Sequence, residues 1–266
     1  MKITQAITSK VNPKVKELVE LKDSKSHLFV EGYRIIEEIL NLNITPLEVI
    51  FTPEAESNPI TSKAKSMATN FTSMSSPVFG KISDTDEPQG LAAFFKKPEY
   101  KIEDLIKESG EKAIYLILHE VQDPGNLGTI FRTARAAGVS GIILTKKSVS
   151  VVNTKLLRSS MGAVLSVPFV DNIDLKDAIS YLKNGGISIA ITDIKSGQNI
   201  FNTEYKLPVC FVLGSEAHGL PADILKKADV LLSIPIVNRI ESLNLSISAG
   251  ILMYDAVKRF NLYNKG

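Results

Sequence analysis

Three short segments of this chain carry residue types whose spacing suits chemistry. The first runs Leu118-His119-Glu120-Val121-Gln122-Asp123-Pro124-Gly125-Asn126-Leu127-Gly128-Thr129-Ile130-Phe131-Arg132-Thr133-Ala134. Asp123-Pro124-Gly125-Asn126 is a strong turn, and Asn126 is of the type that caps a helix, here one running to Ala137 and closed by Gly138. Gly128 and Arg132 are four apart and share a helix face. The glycine opens room above the backbone and the arginine one turn later reaches into it. A capped helix with a surface arginine explains the cap but not the glycine, which is unfavourable in a helix unless something must approach closely.

The second segment is Val212-Leu213-Gly214-Ser215-Glu216-Ala217-His218-Gly219-Leu220-Pro221. Two glycines around Glu216, directly after an apolar run, suit backbone approach to a ligand. A glycine-rich connector with a solvated Glu216 accounts for the same residues equally well. His218 has no second His or Cys at ligand spacing, so it reads as a surface or hydrogen-bonded histidine and no metal is expected. The third segment, Ile234-Pro235-Ile236-Val237-Asn238-Arg239-Ile240-Glu241-Ser242-Leu243-Asn244-Leu245-Ser246, leads from a strand into a helix expected to be capped near Ser242 and to run to about Phe260. Asn244 and Ser246, taken alone, are ordinary first-turn polar residues. None of the three has the glycine fingerprint of a dinucleotide site or a P-loop.

The elements that must position these segments are strands alternating with helices. Ala113–Leu118, Gly141–Leu144, Ile187–Ile191, Val209–Leu213 and Val230–Ile234 are continuous apolar runs of the kind buried inside a parallel sheet. Helical patterns lie between them, among them Leu175–Asn184. This alternation predicts an α/β layer architecture with a mostly parallel sheet, whose ligands bind beyond the carboxyl ends of the strands. The first ninety-odd residues read differently. A helix over Pro13–Leu21, a strand His27–Val30, a helix from Tyr33 to about Leu42, and strands Leu47–Phe51 and Gly90–Phe95 predict a small α/β sandwich. We place domain limits at 1–96 and 113–266, with a linker over 97–112 that opens on the polar Lys96-Lys97-Pro98-Glu99-Tyr100.

Composition sets the outer limits. The 266 residues are 44% hydrophobic and 23% charged, which excludes disordered, collagenous and disulfide-stapled classes. The one cysteine, Cys210, lies in an apolar strand and reads as a small core residue. No apolar run is long enough to span a bilayer and the N-terminus lacks a signal-peptide core, so a cytoplasmic protein is expected. With 31 basic and 29 acidic residues the net charge is +2, so a nucleic-acid partner would require basic residues gathered on one face.

Together and in this order, the three segments resemble the signature blocks of the SpoU/TrmH-type RNA ribose 2′-O-methyltransferases of the SPOUT superfamily. The N-terminal part, with Phe29-Val30-Glu31-Gly32 and Pro88-Gln89-Gly90, is similar to that family's L30e-like substrate-binding domain. The resemblance implies methyl transfer from S-adenosylmethionine to a ribose 2′-hydroxyl of structured RNA, ribosomal ahead of transfer RNA. It also implies a homodimer formed through the C-terminal domain. That domain would carry a deep trefoil knot, which general folding rules disfavour. By position, Asn126, Arg132, Glu216, Ser242 and Asn244 match the catalytic residues. Thr192, Leu213, Gly214, Ile234, Ile236 and Leu243 match the wall of the cofactor pocket. Asn238, followed by Arg239, stands where the third block usually has glycine, and asparagine tolerates left-handed backbone better than most residues.

Two other classes compete: an RNA-binding protein of the same fold without turnover, and a small-molecule enzyme using a nucleotide cofactor. Binding alone would not need all five polar residues, and a small-molecule enzyme would leave the N-terminal domain without a purpose.

Overall fold

Apolar runs bounded by turn residues become strands here, and most helices follow a Ser, Asn or Asp cap, though not those opening at Tyr33 and Ala222. The computed structural model describes residues 6–107, 110–216, 218–238 and 240–264. In chain order the first elements are α1 (Pro13–Asp23), β1 (His27–Glu31), α2 (Tyr33–Leu40), β2 (Glu48–Phe51), α3 (Pro59–Met67), β3 (Asn70–Ser73), α4 (Ser76–Phe79) and β4 (Leu91–Lys96). Then come α5 (Ile102–Lys107), β5 (Ile114–Leu118), α6 (Pro124–Ala137), β6 (Gly141–Thr145), α7 (Thr154–Ser160), β7 (Phe169–Ile173) and α8 (Leu175–Asn184). The last are β8 (Ser188–Thr192), β9 (Gln198–Asn199), β10 (Val209–Leu213), α9 (Ala222–Leu225), β11 (Val230–Ser233) and α10 (Leu245–Arg259).

The chain divides into two compact units, residues 1–98 with 151–166, and 99–150 with 167–266. In the first, the sheet order is β1-β4-β2-β3, with β2 and β3 parallel and the other pairs antiparallel. Val15 and Leu18 of α1 pack with Phe29, Ile50, Met74, Phe79 and Phe94 in a buried cluster. Helix α7, with Leu156 and Leu157 buried, packs on β1 in this unit although it lies in sequence between two strands of the other sheet. Just beyond it, Gly162 has φ +78, and a Cβ there would run into Ile39 of α2.

The second unit holds a seven-stranded sheet in the order β7-β6-β5-β10-β8-β11-β9, with every described pair parallel. Alternate residues of a strand face opposite sides. Tyr115, Ile117, Ile189, Ile191, Cys210 and Val212 meet Leu175, Ala178, Ile179 and Leu182 of α8 on one face. Helices α6 and α10 pack together, α10 lies against β10, and Phe131 of α6 sits edge-on to Phe169 of β7 at 5.6 Å. Burying each such Leu, Ile or Phe side chain contributes about 1.5–3 kcal/mol, which drives the layers together. Cys210 is fully buried in this core and its thiol pKa is raised by that burial. Segment 97–112 is not wholly irregular, since it contains α5, whose Leu105 joins the same core.

Because the pairs are parallel, the carboxyl ends of β5, β10, β8 and β11 come to one edge. Leu118 stands opposite Leu213, Val212 opposite Ile191, and Leu232 opposite Thr192. That edge carries the residues with chemical potential.

Candidate active site

Helix α6 begins one turn earlier than its polar residues suggest. Asp123, not Asn126, is the cap: its carboxylate accepts from the Asn126 backbone N–H at 2.7 Å, with Pro124 at the first helical position. Both residues are capping types, and the proline decides between them because its fixed φ and missing N–H suit the first helical position. The consequence is chemical, since the Asn126 side chain is left free for other partners. At the other end Gly138 closes the helix in the left-handed conformation with φ 68.

Helix α10 is capped by Asn244 rather than near Ser242. The Asn244 Oδ1 accepts from the backbone N–H of Ser246 at 2.9 Å and of Ile247 at 3.3 Å, and from the Ser246 hydroxyl at 2.6 Å. Its Nδ2 is thereby turned outward and donates to Asn126 Oδ1 at 2.9 Å. Asn126 Nδ2 in turn donates to the carboxylate of Glu216. Three residues from three separate segments thus form one hydrogen-bonded chain.

Glu216 is presented by a small closed loop. Ser215 N–H donates to Gly219 O at 3.2 Å, Gly219 N–H returns a bond to Ser215 O at 2.9 Å, and His218 N–H bonds the Ser215 hydroxyl at 3.2 Å. Gly219 takes φ +63, and a Cβ on Gly214 would strike the Gly219 backbone, so the loop closes only with glycine at both positions. His218 is exposed on it, and Ala217 lies outside the described residues.

The other candidates fall around this chain. Arg132 is exposed on α6 and, among the described residues, has no ion-pair partner. It lies six positions beyond Asn126, which at about 100° per residue puts it roughly 120° away around the helix. Gly128 is buried where α6 is covered. Ser242 is exposed two residues before the α10 cap. Leu213 is buried at the end of β10, Gly214, Thr192, Ile234 and Ile236 are partly exposed at or just beyond the ends of β10, β8 and β11, and Leu243 is partly exposed just before α10. Thr192 donates its hydroxyl proton to Val212 O at 3.0 Å, which ties β8 to β10. Backbones crowd here, since a Cβ on Gly197 would meet the main chain of Leu232. Asn238 is exposed and is not among the residues with positive φ, so the loop makes no left-handed demand there; Arg239 lies outside the described residues.

One partner set has no signal in the sequence. His119 N–H bonds Leu213 O at 2.9 Å, its Nδ1 meets Thr145 Oγ1 at 3.1 Å, and Glu120 N–H donates to the same hydroxyl at 3.0 Å. Glu120 holds the left-handed conformation with φ 52 and pairs with Lys147 at 3.3 Å. These bonds fix the loop that carries Asp123 and Asn126. Burial lowers the His119 pKa below its ordinary value, outweighing Glu120 and Asp174, which favour the charged form. Among the described residues no group of His, Cys, Asp and Glu could hold a metal ion, and no helix is long and apolar enough to cross a membrane.

Known proteins share both halves of this arrangement. The pattern of the SpoU rRNA methylase family matches residues 113–254, and that of an MRM3-like substrate-binding domain matches residues 12–93. A tRNA/rRNA methyltransferase of Synechocystis, slr1673, is 31% identical over 94% of this chain and 93% of its own. The 23S rRNA (guanosine(2553)-2′-O)-methyltransferase RlmP of Bacillus subtilis is 30% identical over 93% of this chain and 97% of its own. The structure of an AdoMet-bound rRNA methyltransferase from Sinorhizobium meliloti superposes with a TM-score of 0.83 at 28% identity, covering 96% of this chain and 98% of that one. With its methylase half, its substrate-binding half and full-length relatives all of one kind, the chain belongs to the SpoU family of RNA methyltransferases.

Proposed function

We propose that this chain transfers a methyl group from S-adenosylmethionine to a ribose 2′-hydroxyl of structured RNA, ribosomal RNA ahead of transfer RNA. The observation that carries the reading is the hydrogen-bonded chain Asn244–Asn126–Glu216 at the carboxyl edge of the sheet, beside the loops that follow β8, β10 and β11. The 2′-O specificity named for the Bacillus subtilis relative and the AdoMet-bound Sinorhizobium meliloti neighbour support it.

The chain's own residues suit the task. Ile234 and Ile236 beyond β11, Leu243 ahead of α10, Thr192 at the end of β8 and the main chain of Leu213 and Gly214 would hold the cofactor. Gly219, with open space where a Cβ would stand, fits a ligand gripped by main chain rather than by charge. When bound, S-adenosylmethionine supplies an electrophilic methyl on a sulfonium. Asn244, which donates one amide hydrogen to Asn126, and Asn126, which donates one to Glu216, each keep a second, and Glu216 keeps a second carboxylate oxygen. A hydroxyl can therefore accept from an amide while donating to the carboxylate, which fixes its lone pair in line for transfer; such positioning supplies much of the rate. Arg132 stays charged at neutral pH. Its role is to clamp the adjacent phosphate and ease negative charge developing on the oxygen, with Ser242 orienting the same group.

Residues 1–96 serve as the RNA-binding domain, 97–112 as the linker and 113–266 as the catalytic domain, knotted as in the family. The active form is a homodimer. Ile247, Ile251 and Tyr254 form an outward stripe on α10, with Ile247 55% and Tyr254 48% exposed, while Leu245, Leu252 and Val257 are buried. Arg132, turned away from Asn126 around α6, would then serve the partner's site.

Incubation with tritiated S-adenosylmethionine and total RNA tests the function. We expect label in RNA at a linkage resistant to alkali, as a 2′-O-methyl makes it. Label in an alkali-sensitive linkage moves the chemistry to a base. Bound but unlabelled RNA, or no RNA binding, overturns the enzymatic reading.

A further inference from the structure

The polarity of the Asn244–Asn126–Glu216 chain is set from one end. Asparagine oxygens and nitrogens can exchange places by a flip, so each link needs a reason for its direction. At Asn244 the reason is unambiguous. Two backbone N–H groups and the Ser246 hydroxyl converge on one side-chain atom, at 2.9, 3.3 and 2.6 Å, and backbone N–H groups only donate. That atom is the oxygen, so Nδ2 faces Asn126 and requires its oxygen. Asn126 Nδ2 is then left to face Glu216. The direction imposed at the start of α10 passes through two amides and ends on a carboxylate.

Ser246 holds the shortest of the three bonds on Asn244, is only 8% exposed, and lies inside the first turn of α10. Its own backbone N–H and its hydroxyl grip the same oxygen, so the side chain of Asn244 is held at two angles. We propose that Ser246 is a positioning residue for methyl transfer: the two backbone N–H groups fix which Asn244 atom is the oxygen, and the Ser246 hydroxyl locks that rotamer and so holds in place the donors that run up to Glu216. Buried and bonded to Asn244, it acts through that residue. This inference rests on reading the chain as the methyl-transfer site, but its structural content can be tested separately.

The test uses the full-length protein as wild type, Ser246→Ala and Ser246→Thr, with two measurements. The first is single-turnover methyl transfer beside calorimetric S-adenosylmethionine affinity. We expect Ser246→Ala to slow transfer about tenfold with cofactor affinity within about twofold, and Ser246→Thr, which keeps the hydroxyl, to recover most of the rate. The second is the side-chain amide NMR signal of Asn126, assigned by its loss in Asn126→Asp. A proton held by a carboxylate is shifted downfield, and in Ser246→Ala we expect that signal to move toward the free-amide position. An unchanged Asn126 signal in Ser246→Ala overturns the proposal whatever the rate does. A moved signal with wild-type transfer overturns the catalytic role. If the wild type methylates no RNA, the functional reading fails by itself, and the NMR result still decides whether Ser246 holds the chain in place.

Discussion

Asn244 and Asn126 stand 118 positions apart in sequence, yet the Nδ2 of one lies 2.9 Å from the Oδ1 of the other. The contact joins the N-terminal ends of α10 and α6, two helices packed against each other. It also separates two bonding roles of Asn244, whose oxygen caps a helix while its nitrogen donates to Asn126.

Asn244→Asp should split those roles. Aspartate caps a helix as well as asparagine, so stability should stay within about 0.5 kcal/mol of wild type. The donor to Asn126 is lost, Asn126 flips, and its oxygen then faces the Glu216 carboxylate. Methyl transfer should fall about a hundredfold at an unchanged melting temperature. A variant that unfolds early, or that turns over normally, contradicts the assignment.

Arg132→Ala should keep cofactor affinity within about twofold and lose about a thousandfold in single-turnover transfer, because the arginine is assigned to the acceptor side. Its exposure predicts no change in stability. Mixing this variant with Gly214→Ala, whose added Cβ would strike the Gly219 backbone, should restore activity if Arg132 serves the partner's site. No recovery despite demonstrated subunit exchange would place Arg132 in its own chain's site.

Tyr254→Arg and Ile247→Asp should weaken self-association at least tenfold, roughly, because each puts charge into the outward stripe of α10. Light scattering across a dilution series measures this, and transfer should fall in step with the dimer fraction. A monomer that is fully active, or a wild type that is monomeric throughout, defeats the dimer.

His119 supplies a pH dependence. Its pKa is lowered in the folded protein, so below its ordinary value of 6.5 the unfolded chain binds the proton more readily. Stability contributed by the neutral imidazole is therefore complete above that value and declines as pH falls through it. His119→Asn keeps a polar atom near the Nδ1 position facing Thr145 but removes the titration. Urea midpoints at about pH 7.5 and about pH 5.5 should show wild type losing more on acidification than the variant. Equal losses would show that Glu120 and Asp174 cancel the effect of burial and Lys147.

Much of the sheet was legible because its strands are uniformly apolar. Val209–Leu213, bounded by Pro208 and Gly214, and Leu175–Asn184, preceded by Asp174, have the limits expected of them. Strand β7 gave no such signal: Phe169-Val170-Asp171-Asn172-Ile173 is an edge strand whose later residues are partly exposed and need not be apolar. The two cap assignments erred because Asp123 and Asn126, and likewise Ser242 and Asn244, are all capping types within one turn of each other. At the site, each polar residue was visible within its own segment. That Asn126, Glu216 and Asn244 bond one another depends on the neighbouring positions of β5 and β10 and on α10 packing against α6, which no local pattern encodes.

The insertion of residues 151–166 into the N-terminal unit bears on how this protein can be rebuilt. The chain passes between the two units three times, at 98–99, 150–151 and 166–167. Leu156, Leu157 and Val164, all buried, belong to the methylase stretch by sequence and to the N-terminal unit by packing. A fragment beginning near Ile102 would leave those side chains without their cover. The substrate-binding half is therefore not a cassette that can be swapped among relatives at a single junction; a graft has to bring the matching 151–166 segment with it, or the recombinant carries an apolar wound on its catalytic half.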